Sequence, residues 1–289
     1  MDCVVWLNPC NHYGLDGWRG QGQCGCRAAE RYCGRRTKRE HGRRVTLSVC
    51  LALHGAFCGP WVWEEALTTF GLPAVPVELR QTEHPDYHLL GLSDYVDALA
   101  SAAEPYPGRP VLVGHSMGAL VVQKALSRLR PAAIVLLAPV PPLGAAATFP
   151  HTMLVDPILG MQAAVAGFID FDMADPEALS RSLFSDAVPK WRADEHVRRS
   201  QPEPRRALFD CFAPGPIASA AWLGVPTLVI GMDRDPISPP SACRMTALWH
   251  GADCRIMPGS GHLMMLEPSW PSVAEEIRRW LKGRGLTAQ

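Results

Sequence analysis

Ser116, in the pattern Gly-x-Ser-x-Gly over residues 114–118, is the residue of this sequence best suited to covalent chemistry. The pattern directly follows the apolar run at residues 111–113 and directly precedes a stretch with the apolar spacing of a helix. A strand, a sharp turn and a helix in this order expose a serine in a strained conformation, and the flanking glycines avoid clashes with nearby backbone. Ser116 is therefore predicted to be a nucleophile that attacks the carbonyl carbon of an ester or a related acyl bond.

Backbone N–H groups near this serine can stabilise the negative charge of a tetrahedral intermediate. The N–H of Met117 lies at the predicted N-terminus of the helix, where unpaired donors and the helix dipole favour an anion. A second donor must come from another loop, and the loop that begins at His54 follows the first strong apolar run. We predict the N–H of Ala56 as that donor, with the N–H of Phe57 as the alternative. His54 itself is expected to be a loop histidine that hydrogen-bonds to backbone.

A histidine and a carboxylate are needed to activate such a serine. His262 ends a Gly-Ser-Gly-His run after the last apolar run, residues 254–257, so we predict it as the general base. Two carboxylates, Asp233 and Asp235, follow the preceding apolar run. We favour Asp235 because the proline-rich stretch after it fixes the backbone, whereas Asp233 could pair with Arg234 or form the turn. The chain order serine, aspartate, histidine is the one expected after a turn of this type.

Alternating strands and helices must position these residues. Predicted strands lie at residues 45–53, 74–79, 111–113, 132–137, 227–230 and 254–257, and predicted helices at residues 61–70, 93–103, 117–129, 240–249 and 271–282. Ser93 is predicted as an N-cap, and Gly283 as the end of the last helix. Apolar strands separated by helices predict a parallel sheet covered on both faces, with its ligand beyond the carboxyl ends of the strands.

The pattern is interrupted between residues 139 and 222, which carry many prolines and glycines and three helical stretches, at residues 158–168, 176–184 and 204–212. Because the strands resume afterwards, we predict one sheet with a core in two parts, residues 45–138 and 223–289. Residues 139–222 are predicted to be a helical cap inserted between them.

Residues 1–44 differ in composition from the rest of the chain. They carry nine Lys and Arg against four Asp and Glu, a net charge of +5 that balances −5 in the remainder, and they hold five of the ten cysteines. They show no sustained helical or strand period, so we expect a poorly ordered extension. The side chains there that could bind zinc, Cys10, His12, Cys24, Cys26 and Cys33, lack the paired Cys-x-x-Cys spacing of structural sites. No metal site is predicted.

The overall composition is that of an ordinary globular protein. The 289 residues are 47% hydrophobic and 19% charged with a formal net charge of zero, which gives no indication of a nucleic-acid partner. No run is long enough for a secretory signal or a membrane span, so a cytoplasmic location with reduced thiols is the default expectation. No glycine fingerprint for a dinucleotide or a nucleotide phosphate is present, and no cofactor is expected.

The motifs described above, at residues 53–56, 114–118, 231–239 and 261–262, together resemble the α/β-hydrolase superfamily. The resemblance covers roughly residues 45–289. The resemblance implies the α/β-hydrolase fold and a catalytic triad of Ser116, Asp235 and His262. Residues 54–61 are similar to the oxyanion segment of small capped esterases, including plant methylesterase-like enzymes, and residues 114–119 also resemble the corresponding turn of type II thioesterases. An epoxide hydrolase or a dehalogenase of this superfamily would be expected to carry aspartate in place of the serine.

The predicted substrate is a small to medium hydrophobic ester, cleaved through an acyl-enzyme. The side chains expected to approach it are apolar: Phe57, Trp61, Leu263 and Met264. Two alternatives remain open. One is a thioesterase or an acyltransferase, and the other is a ligand-binding protein, lyase or perhydrolase of the same fold.

Overall fold

A parallel sheet is built from the apolar runs in the part of the chain that the computed structural model describes, which is residues 49–80, 83–106, 108–169 and 171–286. Its strands are β1 (Cys50–Leu53), β2 (Ala74–Val77), β3 (Val111–His115), β4 (Ala133–Leu137), β5 (Thr227–Met232) and β6 (Asp253–Met257). They lie in the order β2-β1-β3-β4-β5-β6, and every neighbouring pair is parallel. From β1 the chain adds β2 on one side and then crosses to add β3 on the other side. The loops after β1 and β3 therefore lie next to each other at one edge of the sheet.

The inner strands are buried, and their side chains alternate between two apolar clusters. Along β3, Val111 and Val113 join one cluster and Leu112 joins the other, because successive side chains of a strand point to opposite faces. Helices pack on both clusters: α1 (Leu92–Ala103), α2 (Met117–Leu129) and α8 (Pro240–His250) on the face of Leu112, and α9 (Trp270–Lys282) on the opposite face. The prediction of a parallel sheet with helices on both faces is confirmed.

Helix α9 illustrates why these segments are helical. Its buried residues include Trp270, Val273, Ile277 and Trp280, which are spaced three or four residues apart and therefore share one face. Arginine and glutamate side chains of the same helix pair with one another on the exposed face. The helix thus covers the sheet with an apolar stripe and keeps its charges in water.

Two local predictions differ from the structure. Residues 61–70 do not form one α-helix but two 3-10 helices, Pro60–Trp63 and Ala66–Thr69. The hydroxyls of Thr68 and Thr69 donate to carbonyl groups three residues earlier, which competes with α-helical backbone bonding.

Helix α1 is capped by Gly91 and not by Ser93. The Asp94 carboxylate accepts the Gly91 N–H at 2.7 Å, and this bond places the N-cap two residues before the predicted one. Ser93 therefore lies in the first turn of the helix.

The long connection between β4 and β5 is helical. It contains α3 (Phe149–Val155), α4 (Pro157–Ala164), a π-helical turn (Val165–Ile169), α5 (Pro176–Leu183), α6 (Lys190–Arg198) and α7 (Arg205–Phe212). The three predicted helical stretches correspond to α4 with the π-helical turn, α5 and α7, whereas α3 and α6 were not predicted. We call residues 139–222 the helical insertion.

The residues of the possible zinc site lie outside the described part of the chain. Within the described ranges, no helix has the length and the apolar character needed to cross a membrane. The cysteines placed there, Cys50, Cys58, Cys211, Cys243 and Cys254, are unpaired.

Candidate active site

Ser116 occupies the sharp turn between β3 and α2. Its φ is 52°, an uncommon value for a residue with a side chain that costs on the order of 1 kcal/mol or more. The turn requires glycine at Gly118, because a Cβ there would overlap the carbonyl oxygen of His54. The Ser116 N–H donates to the Leu137 carbonyl of β4 at 3.0 Å, which fixes the turn to the sheet.

A chain of hydrogen bonds runs from Ser116 through His262 to Asp235. The Ser116 Oγ lies 3.0 Å from His262 Nε2, and His262 Nδ1 lies 2.7 Å from Asp235 Oδ2. The other carboxylate oxygen of Asp235 accepts the backbone N–H groups of Ile237 and Ser238 at 2.8 and 3.0 Å. The side chains of Ser116, His262 and Asp235 are all buried. This geometry allows His262 to take a proton from the serine while Asp235 holds the imidazole in the required tautomer.

The second predicted carboxylate, Asp233, lies elsewhere. It is exposed, and its backbone N–H donates to the Met257 carbonyl at 3.0 Å, which continues the pairing of β5 with β6. The structure therefore brings Asp235 to His262 and leaves Asp233 at the surface.

His115 holds the loop that carries His262. Its Nε2 donates to the carbonyl oxygen of His262 at 2.9 Å, and the two ring centroids are 4.8 Å apart. Burial, together with the nearby His262, lowers the pKa of His115 well below its ordinary value. His115 is therefore a neutral donor that connects the turn of Ser116 to the loop of the predicted base.

The two predicted oxyanion donors belong to residues at the cavity of Ser116. Ala56 and Met117 line the same cavity as Ser116, and their N–H groups have no hydrogen-bond partner among the described residues. The alternative donor is excluded, because the Phe57 N–H already donates to the carboxylate of Glu203 at 2.8 Å. Two free N–H groups from different loops are what an oxyanion hole needs.

A cavity of about 200 Å³ opens at Ser116. Its wall comes from the loops after the strands and from the helical insertion, and most of the lining is apolar. Among the apolar lining residues are Phe57, Leu159, Phe168, Phe171, Leu183, Val197, Leu208, Phe212 and Leu263. The predicted substrate-binding residues Phe57 and Leu263 are therefore part of this wall.

The other two predicted substrate-binding residues do not line the cavity. Trp61 stacks on the ring of His196 with centroids 5.9 Å apart, and the Arg199 guanidinium lies 4.5 Å from the Trp61 ring centre. Met264 begins a short 3-10 helix and is fully buried in the apolar core. Proximity in sequence to the predicted site residues did not decide which way these side chains point.

Two residues at the site were missed by the sequence analysis. His115 lies inside the Gly-x-Ser-x-Gly pattern, where its burial could have been inferred from the apolar strand before it. Glu203 lies between two prolines in the helical insertion, and no local pattern indicates that it reaches the loop of Phe57 from 146 residues away.

Comparison with known families gives one match. The model described as the alpha/beta hydrolase family matches residues 50–274, which is most of the chain. No curated protein sequence matches significantly.

Solved structures share this fold at low sequence identity. An extracellular alpha/beta-hydrolase from a Paenibacillus species, described as sharing structural and functional homology with tobacco salicylic acid binding protein 2, aligns at 16% identity with a TM-score of 0.61, covering 80% of this chain and 98% of that one. A thermophilic esterase from Thermogutta terrifontis aligns at 20% identity with a TM-score of 0.57, covering 82% and 90%. MenH from S. aureus aligns at 17% identity with a TM-score of 0.60, covering 83% and 95%. At these identities the likeness concerns the fold alone.

Proposed function

Since this chain belongs to the alpha/beta hydrolase family, we propose that it is a serine hydrolase that cleaves the carboxylic ester of a small to medium hydrophobic substrate. The observation that supports the proposal is the unbroken hydrogen-bond chain from Ser116 through His262 to Asp235 at the wall of an apolar cavity. The order of these residues and their distances match what acyl transfer by a serine requires.

In the proposed mechanism, His262 Nε2 takes the proton of Ser116 as its Oγ attacks the carbonyl carbon. The N–H groups of Ala56 and Met117 stabilise the oxyanion, and Asp235 stabilises the charged imidazole. His262 then gives its proton to the departing alcohol, leaving an acyl group on Ser116. Water, activated by the same histidine, releases the acid.

The cavity favours an uncharged, apolar substrate. No Asp, Glu, Lys or Arg side chain belongs to its lining among the described residues, and burial raises the pKa of the lining thiols of Cys58 and Cys211 to about 12, which keeps them neutral. We further propose that the helical insertion acts as a cap, because α4, α5 and α7 all contribute to the cavity wall.

The test is the release of p-nitrophenol from acetate, butyrate and octanoate esters. We expect turnover by the wild type and a loss of roughly 10⁴-fold or more in Ser116→Ala. Ser200→Ala removes another hydroxyl from the lining of the same cavity and serves as the matched control, with turnover close to wild type.

Other outcomes point to the alternatives. A strong preference for acyl thioesters over oxygen esters would identify a thioesterase. Tight binding of small apolar esters without turnover by the wild type would contradict the proposal and favour a binding protein of the same fold.

A further inference from the structure

Glu203 is a buried carboxylate that joins three parts of the molecule. It lies in the helical insertion just before α7, and only 6% of its surface is exposed. Its Oε2 accepts the N–H of Phe57 at 2.8 Å, and its Oε1 accepts the hydroxyl of Tyr95 on α1. The serine mechanism proposed above does not use Glu203, so its burial next to the loop of Ala56 requires another explanation.

The backbone of Phe57 is held at both ends by the same short segment. Its N–H donates to Glu203, and its carbonyl accepts the N–H of Gln201 at 2.9 Å. Phe57 has a φ of 61°, in the left-handed region that costs an aromatic residue on the order of 1 kcal/mol. This conformation persists only if surrounding bonds hold it, and both of these bonds come from the helical insertion.

The bond from Glu203 matters because it holds the Ala56–Phe57 peptide, and the peptide group before that one, Gly55–Ala56, carries the proposed oxyanion donor. The Gly55 carbonyl accepts the Nδ1–H of His54 at 2.9 Å and the N–H of Cys58 at 3.3 Å. In a trans peptide the N–H of Ala56 points away from that carbonyl. The bonds to Gly55 and to Phe57 therefore fix the two peptide groups on either side of Ala56.

The loop also lies very close to the nucleophile. A Cβ at Gly55 would lie 3.0 Å from the Cβ of Ser116. If the Ala56–Phe57 peptide rotated, the backbone at Ala56 would turn with it and its N–H would shift relative to the reacting carbonyl. Transition-state hydrogen bonds are sensitive to such displacements.

Glu203 is buried among polar and charged groups that interact with its carboxylate. Burial raises the pKa of Glu203, while the bonds from Tyr95 and Phe57 and the positive charge of Arg80 act in the opposite direction. Arg80 is itself buried, and two of its guanidinium nitrogens have no hydrogen-bond partner in the described part of the chain. Replacing Glu203 by an apolar residue would leave the N–H of Phe57 and the hydroxyl of Tyr95 unpaired.

We infer that Glu203 is a positioning residue, whose carboxylate fixes the Phe57 backbone and thereby aims the Ala56 N–H at the oxyanion. The inference rests on the proposed serine hydrolase function. We call the loop after β1, residues 54–58, the oxyanion loop. Glu203 also couples two parts of the molecule, because the hydrogen bonds that hold the oxyanion loop at Phe57 come from the same helical insertion that walls the cavity. Withdrawal of this segment from the core would break both bonds to Phe57 together.

The test compares Glu203→Ala with Glu203→Gln in the full chain. Glutamine can accept the Phe57 N–H with its oxygen and donate to the Tyr95 oxygen with its amide, so it restores the contact without the charge. On p-nitrophenyl butyrate we expect kcat of Glu203→Ala to fall by about 10- to 100-fold with KM within about threefold, and Glu203→Gln to recover to within about threefold of wild type.

A matched control and a second readout separate positioning from loss of structure. Asp156 is another carboxylate of the helical insertion, and it accepts the Leu159 N–H at 2.9 Å and the Ser182 hydroxyl at 2.6 Å without touching the oxyanion loop. Asp156→Ala should keep kcat within about threefold of wild type. Inhibition by butylboronic acid, which forms a tetrahedral adduct on Ser116, should weaken in Glu203→Ala by the same factor as kcat.

The outcomes are distinguishable. Wild-type turnover with an unchanged kcat in folded Glu203→Ala would refute the role of Glu203 while leaving the proposed function standing. If Glu203→Ala does not fold, Glu203→Asp keeps the charge but shortens the side chain and so withdraws the carboxylate from the Phe57 N–H, and an unchanged kcat in that folded variant refutes the inference. Absence of ester hydrolysis in the wild type would overturn the proposed function and, with it, this inference.

Discussion

Asp233 and Asp235 are only two residues apart, yet the backbone places their carboxylates in different surroundings. The N–H of Asp233 still pairs with β6, whereas Asp235 lies in the turn that follows, where two N–H groups from Ile237 and Ser238 hold one of its oxygens. These bonds leave the other oxygen directed at His262. Only one of the two acids can therefore orient the proposed base.

The first prediction concerns this choice. Asp235→Asn should reduce kcat for ester hydrolysis by roughly 10⁴-fold, because an amide in that position favours the wrong tautomer of His262. Asp233→Asn, an identical chemical change at an exposed position, should leave kcat within about threefold of wild type. Steady-state kinetics on one p-nitrophenyl ester measures both. Equal losses in the two variants would contradict the assignment of Asp235.

Among the elements, the turn at Ser116 depends on contact between helix α2 and the loop after β1. Gly118 lies where these backbones meet, and a Cβ there has no room beside the His54 carbonyl. By contrast, Gly283 at the end of α9 has a helical φ of −60° and ordinary contact distances around a built Cβ, the nearest at 3.5 Å.

The second prediction compares these glycines. Gly118→Ala should lower the free energy of unfolding by about 1–3 kcal/mol, because backbone must shift to relieve the overlap. Gly283→Ala should change it by less than about 0.5 kcal/mol, since alanine adopts the same conformation without strain. Urea unfolding followed by circular dichroism measures both. A Gly118→Ala protein as stable as the wild type would show that the turn can adapt.

A buried histidine fastens helix α8 to its neighbours. His250 Nδ1 accepts the Ala220 N–H at 3.0 Å, and its Nε2 donates to Gln123 of α2 at 3.1 Å. Both nitrogens are used by the neutral ring, and a second proton on Nδ1 would oppose the N–H of Ala220. Burial accordingly lowers the pKa of His250 to about 4 from an ordinary value of 6.5.

The third prediction follows from this shift. Because the folded state binds this proton less readily than the unfolded state, stability is fully present above pH 6.5 and is lost as the pH falls toward 4. The loss from this residue should reach about 2 kcal/mol between neutral pH and about pH 5. The free energy of unfolding, measured with urea at about pH 7.5 and about pH 5, should therefore fall in the wild type by about 2 kcal/mol more than in His250→Gln. Equal differences would mean that His250 titrates normally in the folded protein.

At the scale of the whole molecule, the site is assembled from segments far apart in the chain. Ala56, Ser116, Asp235 and His262 follow four different strands, and the insertion adds Glu203 and the cavity wall. Another buried carboxylate, Glu267, accepts the N–H groups of Gly261 and Ser185 at 2.6 and 3.0 Å. The insertion is thus fastened to the loop of His262 as well as to that of Ala56.

The fourth prediction concerns residues 1–44. All residues that we assign to the site lie between positions 54 and 263, so a chain that begins at Val45 should keep the kcat and KM of the full chain within about twofold. Its midpoint of thermal unfolding should be unchanged. Loss of folding or turnover on truncation would show that residues 1–44 belong to the domain.

The sequence by itself determined the features that depend on neighbours along the chain. Strand β3, the turn at Ser116 and helix α2 form a local unit, since apolar alternation, glycines and helical spacing act over only a few residues. The same reasoning predicted the parallel sheet and nominated Ser116, Asp235 and His262 from the loops that end its strands.

Only the tertiary structure decided which side chains meet across long separations. It directed Met264 into the core and Trp61 onto His196, it placed Asp235 and not Asp233 against His262, and it brought Glu203 to Phe57. Such contacts depend on how the insertion packs on the sheet, and a lone acid between prolines carries no periodic signal of its distant partner. Short sequence motifs therefore predicted the chemistry proposed at Ser116, whereas they did not predict the shape of the cavity or the hydrogen bonds that support the oxyanion loop.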